Sequence, residues 1–268
     1  VNKSTPIVLG IASGKGGVGK TTLAVNLAVA LTQANQKVCL FDGDMGLANA
    51  QIALGQRVQH HFGHVLAGEK SLSEILVKTT QGLWLIPGGS GVQALASLGT
   101  QASGAIVQAF SDLEQPFDFL IVDAAAGISE QVITFMSASD RRLIVIKDDP
   151  SSIADAYGII KVLAQEGVQD EIILVPNGVP NAEAGRVLHH RLQEVTRKFL
   201  GMDLGYLGSI SQDELVLQAL RKQAPVVEHA PGATATRDFR QLAQQILSLP
   251  PPKRDPGRLS FFLEPSLR

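Results

Sequence analysis

Gly14-Lys15-Gly16-Gly17-Val18-Gly19-Lys20-Thr21-Thr22 is the stretch whose reading decides the fold. It fits G-x-x-x-x-G-K-[ST], the pattern of a phosphate-binding loop. An apolar run of strand type, residues 6–12, precedes it, and a helix-type run, residues 23–31, follows. That strand–loop–helix order is what a phosphate site needs. Glycines let backbone N–H groups turn inward, and the helix N-terminus adds positive potential. Gly14, Gly16, Gly17, Val18, Gly19, Lys20, Thr21 and Thr22 form the expected cradle. In it Lys20 reaches the β- and γ-phosphates and Thr21 the Mg²⁺ ion.

Outward from the loop, strand-type and helix-type runs alternate. Strands are expected at residues 7–12, 37–41, 83–87, 119–122, 143–147, 172–176 and 205–207. Helices are expected at residues 21–33, 104–114, 129–138, 151–166, 182–200, 213–223 and 234–247. This is the signature of an α/β fold with a doubly wound, mostly parallel sheet, here a P-loop NTPase. Several of the strands are apolar almost throughout, as expected when helices cover both faces. Pro250-Pro251-Pro252 interrupts the pattern. The expected organisation is an ATPase domain over residues 1–250 and a tail over residues 251–268.

In open α/β sheets, ligands sit beyond the C-terminal ends of the strands. Three aspartates fall at such ends. Asp123 closes Phe119-Leu120-Ile121-Val122, the pattern of a Walker B aspartate, and is expected on the metal. Asp42 and Asp44 follow the second strand in Phe41-Asp42-Gly43-Asp44. A phosphoryl-transfer site works by positioning and charge, so well-placed carboxylates suffice. Expected metal-side groups are therefore Thr21 and Asp123. Gly127, in Asp123-Ala124-Ala125-Ala126-Gly127-Ile128-Ser129, gives the backbone freedom for a γ-phosphate-sensing switch.

Composition narrows the class. The chain has 268 residues, of which 45% are hydrophobic and 18% charged, so it is globular and slightly charge-poor. No apolar run reaches the ~18 residues that span a bilayer. The formal net charge of −2 offers no electrostatic reason to expect nucleic acid as a partner. The single cysteine, Cys39, sits in a strand-type run. It excludes an internal disulfide, argues for a reducing, cytoplasmic setting, and leaves no thiolate set for an iron–sulfur cluster.

The early lysine makes the loop more specific. Lys15-Gly16-Gly17-Val18-Gly19-Lys20-Thr21-Thr22 resembles the deviant loop of the MinD/ParA family of ATPases. The resemblance implies that ATP closes two subunits face to face, with Lys15 of each reaching the other's nucleotide. Lys15 is on that account a catalytic residue with Lys20. Asp44 would orient the attacking water, and Asp42 would be a Mg²⁺-side or structural carboxylate. Asn177 is placed like the family's adenine-contacting asparagine. Cofactors would be ATP and Mg²⁺, with hydrolysis to ADP and phosphate slow and dimer-dependent.

Within that family, three segments resemble FlhG/FleN-type flagellar-number regulators: residues 44–50 (D-M-G-L-A-N-A), residues 123–128 (D-A-A-A-G-I) and residues 149–157 (D-P-S-S-I-A-D-A-Y). The resemblance implies a flagellar transcription activator or a basal-body component as partner. Departures are Ser211 where the family usually has proline, Ala124 for threonine or serine, and Lys147-Asp148-Asp149 at a strand end. Rival readings are the same switch used in DNA segregation or division-site placement, and a metabolic ATP-dependent ligase of this fold. Lys15 speaks against the ligase.

His60, His61 and His64 read as a polar loop, His189 and His190 as solvated helix residues, and Trp84 as a packing residue. The tail combines Leu259, Phe261, Phe262 and Leu263 with Arg254, Arg258 and Arg268. Such a segment suits docking on its own domain or a partner. It also suits peripheral contact with the inner face of the cell membrane, although Pro265 shortens any interfacial helix.

Overall fold

The computed structural model describes residues 5–46, 48–89, 99–113, 115–255 and 257–262. Leu47, the last residue of the second expected helix and the tail positions from Leu263 onward lie outside these. Strand β1 (Ile7–Ser13) leads into helix α1 (Lys20–Gln33). Strands β2 (Val38–Gly43), β5 (Phe119–Ala126), β6 (Arg141–Ile146) and β7 (Ile172–Val179) follow the expected runs and extend several of them. Strand β4 is confined to Trp84–Ile86, with the short β3 (Val77–Lys78) beside it. Two-residue strands β8 (Gly205–Tyr206) and β9 (Ile210–Ser211) complete the sheet.

The strand order is β3-β4-β2-β5-β1-β6-β7-β8, with β9 also on β7. Among the described residues every pair is parallel except β3–β4. Register does the functional work. Ile11 of β1 pairs with Asp123 of β5, and Asp123 in turn pairs with Asp42 of β2. Both aspartates therefore lie on the β5 side of the loop that leaves β1, Asp123 on the neighbouring strand and Asp42 one strand further.

Helices cover both faces. On one, α1 packs with α9 (Val226–His229) and α10 (Thr234–Leu247) over Leu9, Ile11, Leu40 and Ile121. Nearly all of α1 is buried, so its apolar character runs round the helix rather than along one stripe. Buried Asn26 is tolerated because both ends of its amide are used: Nδ2 donates to Thr22 O, and Oδ1 accepts from Val227 N. The other face carries α5 (Glu130–Ser137), α6 (Pro150–Gln165) and α7 (Ala182–Leu200).

Short elements escaped the sequence pattern. α2 (Ala50–Ala53), α3 (Phe62–Leu66) and α9 are too short to show a helical period. α8 (Glu214–Arg221) lies within its expected range. The helix expected from Gly104 begins earlier, as α4 (Thr100–Ala109), and ends in a 3₁₀ turn at Phe110–Asp112. Its start is held from outside: the Glu130 carboxylate accepts from Thr100 N and Thr100 Oγ1.

The histidine cluster is not a plain loop. His61 is the N-cap of α3, its Nδ1 accepting from Gly63 N, while His64 Nδ1 accepts from His61 N. His189 is not simply solvated either, because it contacts Leu204 O and stacks near Tyr206. Trp84 carries the Lys78 ammonium over its ring, 4.8 Å from the centroid.

The described part of the tail docks on its own chain. Arg141 donates to Pro250 O, and Arg254 forms a two-pronged contact with the Asp140 carboxylate while also donating to Pro6 O. Arg258 donates to Gly167 O. Phe261 is fully buried between Phe110 and Phe135, with ring centroids 5.0 and 6.0 Å away. Burying such a side chain is worth about 2–3 kcal/mol.

Candidate phosphate and metal site

The loop between β1 and α1 is shaped before any phosphate arrives. Gly17 and Gly19 take φ of 77° and 99°, in the left-handed region that side chains avoid. Gly14 is needed for another reason: a Cβ there would lie 2.2 Å from the Asp155 backbone in α6. Ser13 Oγ donates to Lys15 O, and Gly127 N donates to Ser13 O at 2.9 Å. The segment after β5 is thereby tied to the root of the loop. Gly16 and Gly17 are exposed, Val18 is buried, and Thr21 and Thr22 stand in the first turn of α1.

Lys20, Asp42, Asp44 and Asp123 converge on the loop. Lys20 is buried, and burial lowers its pKa while Asp123 and Asp44 push the other way. Asp42 is fully buried and accepts from Ala50 N at 2.8 Å and from Asp44 N at 3.3 Å. Its pKa is raised, chiefly by burial and then by Asp123. It thus braces the turn that presents Asp44.

Asp123 is the unusual group. It is 1% exposed, and neither carboxylate oxygen has a partner at hydrogen-bond geometry among the described residues. Burial pushes its pKa to about 6, against the pull of Thr21 and Lys20. A buried carboxylate with two orphaned oxygens is costly unless something cationic meets it. Thr21, beside it, supplies the hydroxyl that a hard cation accepts as a ligand. These donors fit Mg²⁺.

Two residues are held differently from the expectation. Lys15 Nζ lies 2.8 Å from Asp149 Oδ1 and 2.6 Å from Ser151 Oγ. Asp149 is also the N-cap of α6, accepting from Ser152 N, and Lys15 holds its carboxyl well below the usual range. Asp149 is one of the departures seen in the sequence. Nothing in the spacing pointed to its pairing with Lys15. Asn177, expected against a base, donates its Nδ2 to Val18 O.

The loop opposite Asn177 explains the missing proline. Ser211 N donates to the Asp238 carboxylate of α10 at 2.8 Å, a bond that proline cannot make. Asp213 then accepts from Leu215 N and Ala235 N, so the loop is anchored to α8 and α10.

Known proteins match this arrangement. A family profile described as an AAA domain covers residues 7–172. The antiactivator FleN of Pseudomonas aeruginosa is 38% identical over 257 residues, 96% of this chain and 92% of that protein. The flagellum site-determining protein YlxH of Helicobacter pylori is 35% identical over 249 residues, 92% and 84% of the two chains. Among solved structures, the septum site-determining protein MinD of Pyrococcus horikoshii, complexed with Mg-ADP, superposes with a TM-score of 0.77 at 25% identity, covering 91% and 97% of the two chains.

Proposed function

This chain belongs to the MinD/ParA family of P-loop ATPases, and on that premise we propose that it is an ATP-driven dimerising switch that sets flagellar number or placement. The observation that carries the reading is the convergence of Lys20, Asp42, Asp44 and orphaned Asp123 on a preformed phosphate loop. The flagellar assignment is supported by the likeness to FleN and YlxH.

In this reading the loop N–H groups and Lys20 hold the triphosphate of ATP. Thr21 and Asp123, with Asp42 behind them, would hold Mg²⁺, which would supply positive charge against the phosphate oxygens. Asp44 orients a water in line with the γ-phosphate and takes its proton, and ADP and phosphate leave. Lys15 leaves Asp149 and Ser151 to meet the nucleotide of a second subunit. In this structure its side chain is turned to the first turn of α6. Hydrolysis is slow and requires the dimer, so the dimer surface exists only with ATP bound.

The partner is a flagellar transcription activator or a basal-body component. The protein works in the cytoplasm. Among the described residues no helix is long and apolar enough to cross a membrane. Peripheral membrane contact would require Phe261 to leave its seat.

Asp44→Ala tests the switch. It should accumulate ATP-bound dimer with little turnover, and the trapped dimer should capture a flagellar regulator or basal-body protein that the nucleotide-free monomer does not. Turnover like that of the parent would remove Asp44 from the water-orienting role. Capture of DNA alone would favour a segregation switch.

A further inference from the structure

One peptide of the phosphate loop is held by a side chain from outside it. Asn177 stands near the end of β7, opposite Ile210 of β9. Its Nδ2 donates to the Val18 carbonyl at 2.7 Å. The fit is close, since a Cβ on Gly19 would lie 2.3 Å from that nitrogen.

Peptide planarity makes this a statement about Gly19. The Val18–Gly19 bond is trans, and in a trans peptide the C=O and N–H point in opposite directions. With the carbonyl drawn to Asn177, the Gly19 N–H points away from Asn177, leaving it available to a phosphate as a loop of this kind requires. Gly19 does not enforce this by itself. Its φ is 99°, yet glycine takes either sign of φ about equally, so rotating the peptide is cheap. Rotated, the Val18 carbonyl would face the phosphates, acceptor against acceptor. Something must choose between the two orientations, and Gly19 has no side chain to cap α1 itself.

We propose that Asn177 is a positioning residue of the phosphate loop, latching the Val18–Gly19 peptide with its N–H available to a phosphate. The residue then acts on the triphosphate, through the loop, and not only on a base. With one Nδ2 hydrogen committed to Val18 O, the second Nδ2 hydrogen and Oδ1 are left to meet a base. The inference rests on the reading that this loop binds ATP.

A ligand without a base separates the two roles. Calorimetry of the full chain would compare Mg-ATP with inorganic tripolyphosphate plus Mg²⁺, for the parent, Asn177→Ala and Asn177→Ser. The expected result is that both variants lose affinity for both ligands by the same factor. That factor is about five- to tenfold, as for one hydrogen bond of ordinary strength. Melting of the unliganded protein should fall only slightly, as for loss of a single hydrogen bond, whereas a general structural defect would lower it much further. If Asn177→Ala proves misfolded, the same comparison runs on Asn177→Ser. Weakened ATP binding with parent-like tripolyphosphate binding overturns the proposal and assigns Asn177 to the base. A parent chain that binds neither ligand overturns the ATP reading itself, and this inference with it.

Discussion

Lys15 Nζ and Asp149 Oδ1 are 2.8 Å apart, which ties the early lysine of the phosphate loop to the first turn of α6 in its own subunit. Both side chains are about a third exposed, 33% and 39%, so solvent screens the pair and it adds little to stability. Its effect should instead appear in assembly. Lys15→Ala should still bind nucleotide as a monomer but lose ATP-induced dimerisation and turnover. Asp149→Ala removes the charged one of the lysine's two partners, and should dimerise at lower protein concentration. Light scattering with a non-hydrolysable ATP analogue reads both. A Lys15→Ala protein that dimerises like the parent refutes the crossing role.

Lys20→Ala should cost on the order of 10- to 100-fold in Mg-ATP affinity, as for a charge-assisted contact, and abolish hydrolysis. The unliganded variant should melt no lower than the parent, because Lys20 is held in a site that disfavours its charge. Near-parent affinity by calorimetry would sink the loop assignment.

Asp123 gives the protein a pH signature. Its carboxyl has a folded pKa of about 6, raised by burial above the usual aspartate range. The folded state therefore binds a proton where the unfolded state does not. Its penalty is fully present above about pH 6 and is relieved as pH falls from there towards 4. Asp42 shifts in the same direction. At pH 7, Asp123→Asn should stabilise the unliganded protein by on the order of 2 kcal/mol and flatten this part of its pH profile. Mg²⁺ should bind the parent more weakly below pH 6, since protons compete for the carboxylate. Parallel melting-versus-pH curves for parent and variant would show that Asp123 is not the group responsible.

Phe261→Ala should destabilise the protein by about 3–5 kcal/mol, the usual cost of emptying a packed aromatic site. It should also expose the chain after Arg254 and Arg258 to trypsin. Parent protein should resist cleavage there without nucleotide. Rapid cutting of the parent at those arginines, with no change in melting on substitution, would mean that the seat between Phe110 and Phe135 is not held in solution. Liposome sedimentation with and without an ATP analogue then asks whether the seat empties in the dimer.

Local patterns carried much of the fold. The order strand, glycine loop, helix needs no distant information, and neither does the alternation that gave α7 and α10 their observed limits. Asp42 and Asp123 could be placed at the site because each ends an apolar strand, and a parallel sheet brings such ends together. The short helices were missed because four or five residues hold too little of a period.

What spacing cannot report is which side chains meet once the strands are in register. Lys15 and Asp149 are 134 positions apart, and Asn177 and Val18 are 159 apart. The amino-acid sequence by itself determined the class of site: a phosphate loop with two lysines and three carboxylates at strand ends. Only the tertiary structure decided how each group is held. Strand order, here β5 and β6 on either side of β1, places α6 against the start of the loop, and β7 brings Asn177 to its end. The same packing opens the space between Phe110 and Phe135 that Phe261 fills. Those partnerships arise from contacts between elements, and a linear pattern records only the elements.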